Sequence, residues 1–346
     1  MIVPAMVRRI TDLPVLVASL LPARVATAAR RLPARVATAA ILLLAGAATA
    51  GSFPIRPSEA ERRLAGQPFE IVEAEPTASG VAGAQKWKVR FPDGQVLKLK
   101  WKAAPRYTAD GWNNSPRREI APYEIQKWFL DEPDYIVPPA EVRCIPLALY
   151  RAEVDASAKA TIRGTSCVFG VLSLWLRDVE EPAEIWHPEM FDRQSYYSRS
   201  IAAVDVLTLL IGHQDGRPAN FLWSTDGRHH VYSIDNGISF HAFPFNPLVR
   251  NWNDIRVPAL PREIVRRLAA VGPDQIEALA VLRQLEPDAD RVLKLVPATE
   301  NLDPDEGSRI GRSAFQIGLR QSELREIEER IHWLVQQTES GEIPLF

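Results

Sequence analysis

The stretch from Gln194 to Gly237 constrains this chain most, because an apolar helical run leads straight into a turn-rich segment whose polar residues stand at a fixed spacing. Between Gln194 and Ile211, Ile201, Val204, Leu207, Leu210 and Ile211 recur at helical spacing, which predicts a long helix. Behind it, Gly212-His213-Gln214-Asp215-Gly216-Arg217-Pro218-Ala219-Asn220-Phe221-Leu222 ends the helix and opens a loop. Trp223 to Ser233 then reads as a hairpin around Asp226-Gly227, and Ser233-Ile234-Asp235-Asn236-Gly237 closes the segment. Taken singly, Asp215, Asn220 and Asp235 are ordinary turn residues. Together they bring two carboxylates and an amide from two adjacent loops.

Upstream, Phe69 to Val72, Lys86 to Phe91 and Val96 to Trp101 predict three strands. Near-alternation on both sides of Pro92-Asp93-Gly94 is a hairpin signal. A small-residue stretch, Thr77 to Ala84, separates the first two strands. A helix is expected over Arg118–Leu130, with Ser115-Pro116 at its start and Pro122 awkwardly inside it. Cys144–Tyr150 and Ser166–Leu176 read as further strands. Beyond about residue 258 the pattern is helical, with polar breaks near 284–308, and Ser322–Gln337 is the last helix. A chain of 346 residues, 46% of them hydrophobic, can bury a sizeable core in such an α+β arrangement.

Phosphoryl transfer asks a protein for a carboxylate that orients the attacking hydroxyl and for oxygen ligands that hold Mg²⁺ against the phosphates. Asp215, Asn220 and Asp235 supply those groups, and oxygen ligands suit Mg²⁺ or Mn²⁺. The pattern D-x-x-x-x-N-F-L followed by I-D-N-G resembles the atypical kinases, both the phosphatidylinositol 3-/4-kinases and the secretory-pathway kinases of the Golgi casein kinase type. Gly94 to Lys100 looks like their nucleotide-binding lysine strand, and Arg118 to Glu124, with Val137-Pro138-Pro139, looks like the secretory-kinase helix and its exit. The likeness runs over roughly residues 70–245.

It implies a two-lobed, protein-kinase-like fold, with a small β-rich N-lobe over residues 66–140 and a larger helical C-lobe over 141–346. Asp215 becomes the catalytic base, and Asn220 and Asp235 the metal ligands. Lys100 or Lys98, on one face of the third strand with Lys102, would hold the ATP phosphates, paired with Glu119 or, failing it, Glu124. Gly80 and Gly83 would lie in the loop covering the phosphates. The activity implied is an ATP-dependent phosphotransferase acting on a hydroxyl acceptor, protein favoured over lipid or small molecule. The rivals are a pseudokinase that binds nucleotide as an interaction module, and a nucleotidyl transferase on the same fold. Two features depart from the pattern: Gly216 stands between Asp215 and Arg217, and Asn236 replaces the phenylalanine of conventional protein kinases. A solvated strand face also accounts for the lysines. His213 reads as a structural histidine bracing the loop, His229-His230 as surface hairpin residues, and Trp87, Trp101, Trp112 and Trp128 as core or interface residues.

A formal charge of −2 lacks the basic excess of a nucleic-acid binder. Residues 1–52 differ from the rest: Asp12 is their one acid, six arginines precede an uncharged run from Val36 to Gly51, and LPARVATAA occurs twice. This matches a secretory signal or a membrane anchor near residues 36–51, which would place the domain outside the cytoplasm. A cytoplasmic chain with an alanine-rich leader is the alternative. Cys144 and Cys167 cannot build a four-ligand zinc site. They could form one disulfide in an oxidising compartment, or serve as two small core residues.

Overall fold

Strand alternation decides the first layer. In β3 (Val96–Ala103), Leu97, Leu99 and Trp101 are buried on one face, while Lys98, Lys100 and Lys102 take the other. β2 (Gln85–Arg90) pairs with it through the predicted turn, where Gly94 adopts the left-handed φ of 84° that favours glycine. Trp87 and Trp101 stack 4.8 Å apart on the apolar side. With β1 (Glu70–Pro76), β4 (Ala140–Pro146) and β5 (Cys167–Leu174), these strands form a five-stranded antiparallel sheet ordered β1-β2-β3-β5-β4. The computed structural model describes residues 51–77, 83–111, 113–191, 195–240 and 256–346. The leader, including the run at 36–50, lies outside the described residues, as do Gly80 and Trp112.

Three features differ from the sequence expectations. Folded structure begins before residue 66: α1 (Pro57–Gly66) buries Ala60 and Leu64 beside Phe53 and Ile55 in the core on the apolar side of the sheet. The sheet runs on to Leu174, past the residue-140 limit that the sequence suggests for the first lobe. After Pro146 the chain turns into α3 (Leu147–Glu153) rather than continuing as strand, since Leu, Ala, Arg and Glu there are good helix formers. Cys144 and Cys167 are joined by a disulfide across β4 and β5, with Cα atoms 5.3 Å apart.

α2 (Pro116–Gln126) lies against the β4–β5 side of the sheet. Pro122 removes one backbone donor, yet the helix persists, because ion pairs hold it along its length. Arg117, fully buried, meets Glu323 at 2.6 Å and Asp110 at 3.0 Å. Further along, Glu124 meets Arg283 at 2.7 Å, and Arg283 also contacts Glu141 at 2.8 Å.

In the second lobe, α4 (Tyr196–Ile211) is buried nearly all round, capped at its start by Ser195 and ended by Gly212 at φ 55°. The Arg330 guanidinium donates to the Leu210 carbonyl near that end. β6 (Val179–Glu180), β7 (Phe221–Ser224) and β8 (Val231–Ser233) make a three-stranded sheet containing the predicted hairpin. His230 in that hairpin is buried, correcting its surface assignment; its Nε2 lies 3.3 Å from the Tyr135 carbonyl.

The helical expectation beyond residue 258 holds only in part. α5 (Arg262–Ala269), α6 (Pro273–Glu277) and α7 (Gln321–Glu339) accompany a third sheet. Its strands β9 (Arg283–Pro287), β10 (Leu293–Val296), β11 (Ser308–Ile310) and β12 (Phe315–Ile317) run in the order β10-β9-β12-β11. Strands of three to five residues are too short for periodicity to declare them. Among the described residues no helix is long and apolar enough to cross a membrane.

Candidate active site

Two loops are stitched into one surface. The Ile234 amide donates to the Asn220 carbonyl at 2.8 Å, and the Gln214 amide donates to the Ile238 carbonyl at 2.9 Å. Asp215, Asn220 and Asp235 are thereby brought side by side from opposite flanks of the β7–β8 hairpin. Within the first loop, the Asn220 side-chain amide donates to the Asp215 carbonyl at 2.7 Å. That fixes the six-residue loop and leaves the Asn220 side-chain oxygen free to accept. Arg217 Nε lies 2.8 Å from the Asp215 carboxylate.

Asp235 sits at φ 58°, a left-handed conformation that aspartate tolerates better than most residues. Its neighbours are fixed: the Ser233 hydroxyl donates to the Asn236 side-chain oxygen, and the Ser239 hydroxyl to its carbonyl, each at 2.8 Å. Gly237 follows where a side chain would not fit, since a Cβ there would stand 2.9 Å from the Asn113 carbonyl and 3.0 Å from Glu119 Oε1.

The strand lysines meet this surface from the sheet above. Lys102 is the one in direct contact: its ammonium donates to Glu119 at 2.8 Å, Asp235 at 2.7 Å and the Asn113 side-chain oxygen at 3.2 Å. Lys100 approaches Asp235 at 3.6 Å, and Lys98 is exposed further along the strand. Of the three strand lysines it is thus Lys102, noted in the sequence only as part of a lysine face, and not Lys98 or Lys100, that pairs with Glu119. Glu119 takes the pairing position and Glu124 does not, its carboxylate being engaged by Arg283 and Lys127. Asn113 carried no signal in the sequence. Gly83 is exposed at φ 69°, beside the Thr77–Ala84 backbone hydrogen bond that closes the base of its loop.

The electrostatics follow from this packing. Burial alone would depress the Lys102 ammonium's pKa, but Glu119 and Asp235 outweigh it and raise it above its ordinary value. Burial would raise Asp235, yet Lys100 and Lys102 hold its carboxylate well below the usual range. His213, fully buried beside both acids, is pushed by desolvation down to about 4 and is neutral near pH 7. The Asp235 backbone lies close to its ring, but neither ring nitrogen has a partner at normal hydrogen-bond geometry.

The donor set suits a hard cation only in part. Among the described residues no cluster of three or more His, Cys, Asp and Glu could hold a metal on its own. Asp235, whose side chain keeps 32% of its surface open, and Asn220 could hold Mg²⁺ or Mn²⁺ together with phosphate oxygens and water. Such partial protein coordination is usual for Mg²⁺ at phosphate sites.

No protein-family model matches this chain, and no curated protein matches it. Its fold is similar to that of a solved Fam20 protein of hydra, determined with a sugar. The TM-score is 0.52 and the identity 13%, over 84% of this chain and 92% of that chain. The Golgi casein kinase with manganese and ADP bound matches at TM-score 0.39 and 12% identity, over 65% of this chain and 66% of that one. The molecule thus has a mixed α+β, two-lobed fold of the kinase-like class. Within that class its fold is similar to that of the hydra Fam20 protein.

Proposed function

We propose that this protein is a phosphotransferase that uses ATP and Mg²⁺ or Mn²⁺ to phosphorylate a hydroxyl group, a protein hydroxyl being the favoured acceptor. The observation that carries the reading is the convergence on Asp235 of a buried lysine–glutamate pair from one lobe, beside an Asp–Asn loop from the other.

In this reading Lys102, oriented by Glu119, holds the α- and β-phosphates. Asp235 and the Asn220 side-chain oxygen would hold the metal, which would supply positive charge against the phosphates. Asp215 accepts the proton of the acceptor hydroxyl and orients it for in-line attack, with Arg217 fixing the carboxylate. His213 fills the space behind both acids as a neutral, structural group. Gly83, together with Gly80 outside the described residues, would contribute to the cover over the phosphates. Export is supported by the basic and apolar leader together with the Cys144–Cys167 disulfide, a bond that persists in oxidising compartments.

Incubation with γ-labelled ATP and either cation tests this. Label should pass to the protein itself or to a generic acceptor, and should be lost in Asp215→Ala and Asp235→Ala. Thermal stabilisation by ATP without any transfer would leave a nucleotide-binding module instead. Fractionation with a tag at Phe346 tests the location, and a wholly cytosolic signal would overturn export.

A further inference from the structure

The face of the sheet that roofs this site is cationic well beyond the one lysine the chemistry needs. Lys86 of β2 lies directly opposite Lys100 of β3, and Lys88 directly opposite Lys98. With Lys102, five lysines share the face that looks toward Asp235. Like charges directly opposite each other across antiparallel strands disfavour the sheet, and two such pairs stand side by side. Glu75 and Glu73 on β1 answer Lys86 and Lys88 in the register, and Glu119 and Asp235 answer Lys102. Among the described residues Lys98 forms no ion pair, and Lys100 shares Asp235 at 3.6 Å.

The cleft edge adds a second, independent observation. After β5 the chain crosses to the other lobe through Trp175 to Asp178. The backbone N–H of Trp175 already donates to the Lys98 carbonyl at 3.0 Å, and that of Arg177 to the Ser52 carbonyl at 2.9 Å. Those donors are not available to read the edge of a nucleobase. Trp175 offers an aromatic face, over which the Lys86 ammonium stands 6.0 Å from the ring centre.

We infer that the donor site recognises the phosphate chain and not the base, so that nucleoside triphosphates and inorganic polyphosphate are comparable ligands. This rests on the phosphotransferase reading above. Lys98 and Lys100 extend the phosphate-binding surface outward from Lys102, giving a bound polyanion counter-charges along the strand. An adenine ring would lie against ammonium groups instead of the apolar roof that would select it.

Thermal shift and calorimetry on the full chain, at fixed free Mg²⁺, with ATP, GTP and inorganic tripolyphosphate, test the inference. The three should bind within about threefold of one another, and Lys98→Ala and Lys100→Ala should weaken all three by the same factor. Binding should also weaken steeply with added salt. A preference for ATP of about tenfold or more over both others, or lysine substitutions that affect only one ligand, would overturn base indifference while leaving a kinase intact. Equal binding without label transfer from ATP would uphold the inference and sink the transferase. No binding of any of the three to the folded chain would remove both.

Discussion

Lys102 and Glu119 meet at 2.8 Å in a setting that leaves only 5% and 9% of their side-chain surfaces open. Such a pair contributes little over an apolar substitute, but breaking it leaves an uncompensated buried charge, at a cost of about 3–5 kcal/mol. Lys102→Met should therefore lower both the unfolding midpoint and phosphoryl transfer, the latter by about a hundredfold or more. Lys100→Met, removing a more open side chain, should leave the midpoint within about 1 kcal/mol of the parent. Urea unfolding and labelled-ATP assays of the two variants separate these outcomes. Equal losses from both would contradict the assignment of the anchor to Lys102.

Asp215→Asn preserves shape and the Asn220 contact, which goes to the backbone carbonyl. Its expected signature is a fall in transfer rate of about 10²–10⁴ with nucleotide binding retained. A variant that loses ATP binding in calorimetry would place Asp215 in the donor site instead.

Gly237→Ala adds one methyl group against Asn113 and Glu119, both partners of Lys102. Transfer should drop by about tenfold or more, while the secondary structure seen by circular dichroism stays unchanged. Full activity would mean that the Glu119 position tolerates displacement.

Stability should fall in mild acid. His213 and His230 are both pushed by burial from 6.5 to about 4 in the folded state. Between those values the unfolded chain binds more protons, so their contribution is intact above about pH 6.5 and is lost as pH drops toward 4. Each should cost about 2 kcal/mol between pH 7 and pH 5. Denaturant titrations at the two pH values give the slope. His230→Gln should flatten it, and an unchanged slope would show that this imidazole is protonated without penalty.

Reduction of the Cys144–Cys167 bond should destabilise the chain. A crosslink spanning a sequence separation of 23 restricts the unfolded ensemble enough to be worth about 3 kcal/mol. The unfolding midpoint with and without reductant measures it, and coincident curves would deny the bond a structural role.

The contrast between legible and hidden features has physical causes. The two-lobed α+β fold was readable because the β2–β3 hairpin and the α4 helix are long and strongly periodic. The four-stranded sheet was not, because none of its strands completes three alternations. The spacing of Asp215, Asn220 and Asp235 is local, and a local pattern survives in one dimension. Which strand lysine meets Glu119 is not local. Alternation places Lys98, Lys100 and Lys102 on one face, and the choice among them is made by where the Ala104–Ser115 loop and the Arg117–Glu323 pair set α2. Asn113 was invisible for the same reason. His230 looked like a surface hairpin residue, but its contact with the Tyr135 carbonyl joins segments 95 positions apart.

Gly170 faces Ala103 across the β3–β5 pairing, and a Cβ there would stand 2.5 Å from the Lys102 carbonyl and 2.8 Å from the Trp101 ring. The height of the ammonium above the two loops is therefore set by a hydrogen atom on the neighbouring strand. A search for loss-of-function substitutions confined to charged and polar positions would pass over it. One extra methyl group at residue 170 would push the lysine strand away from its neighbour and open the cleft from above, without touching any group that bonds, charges or transfers anything.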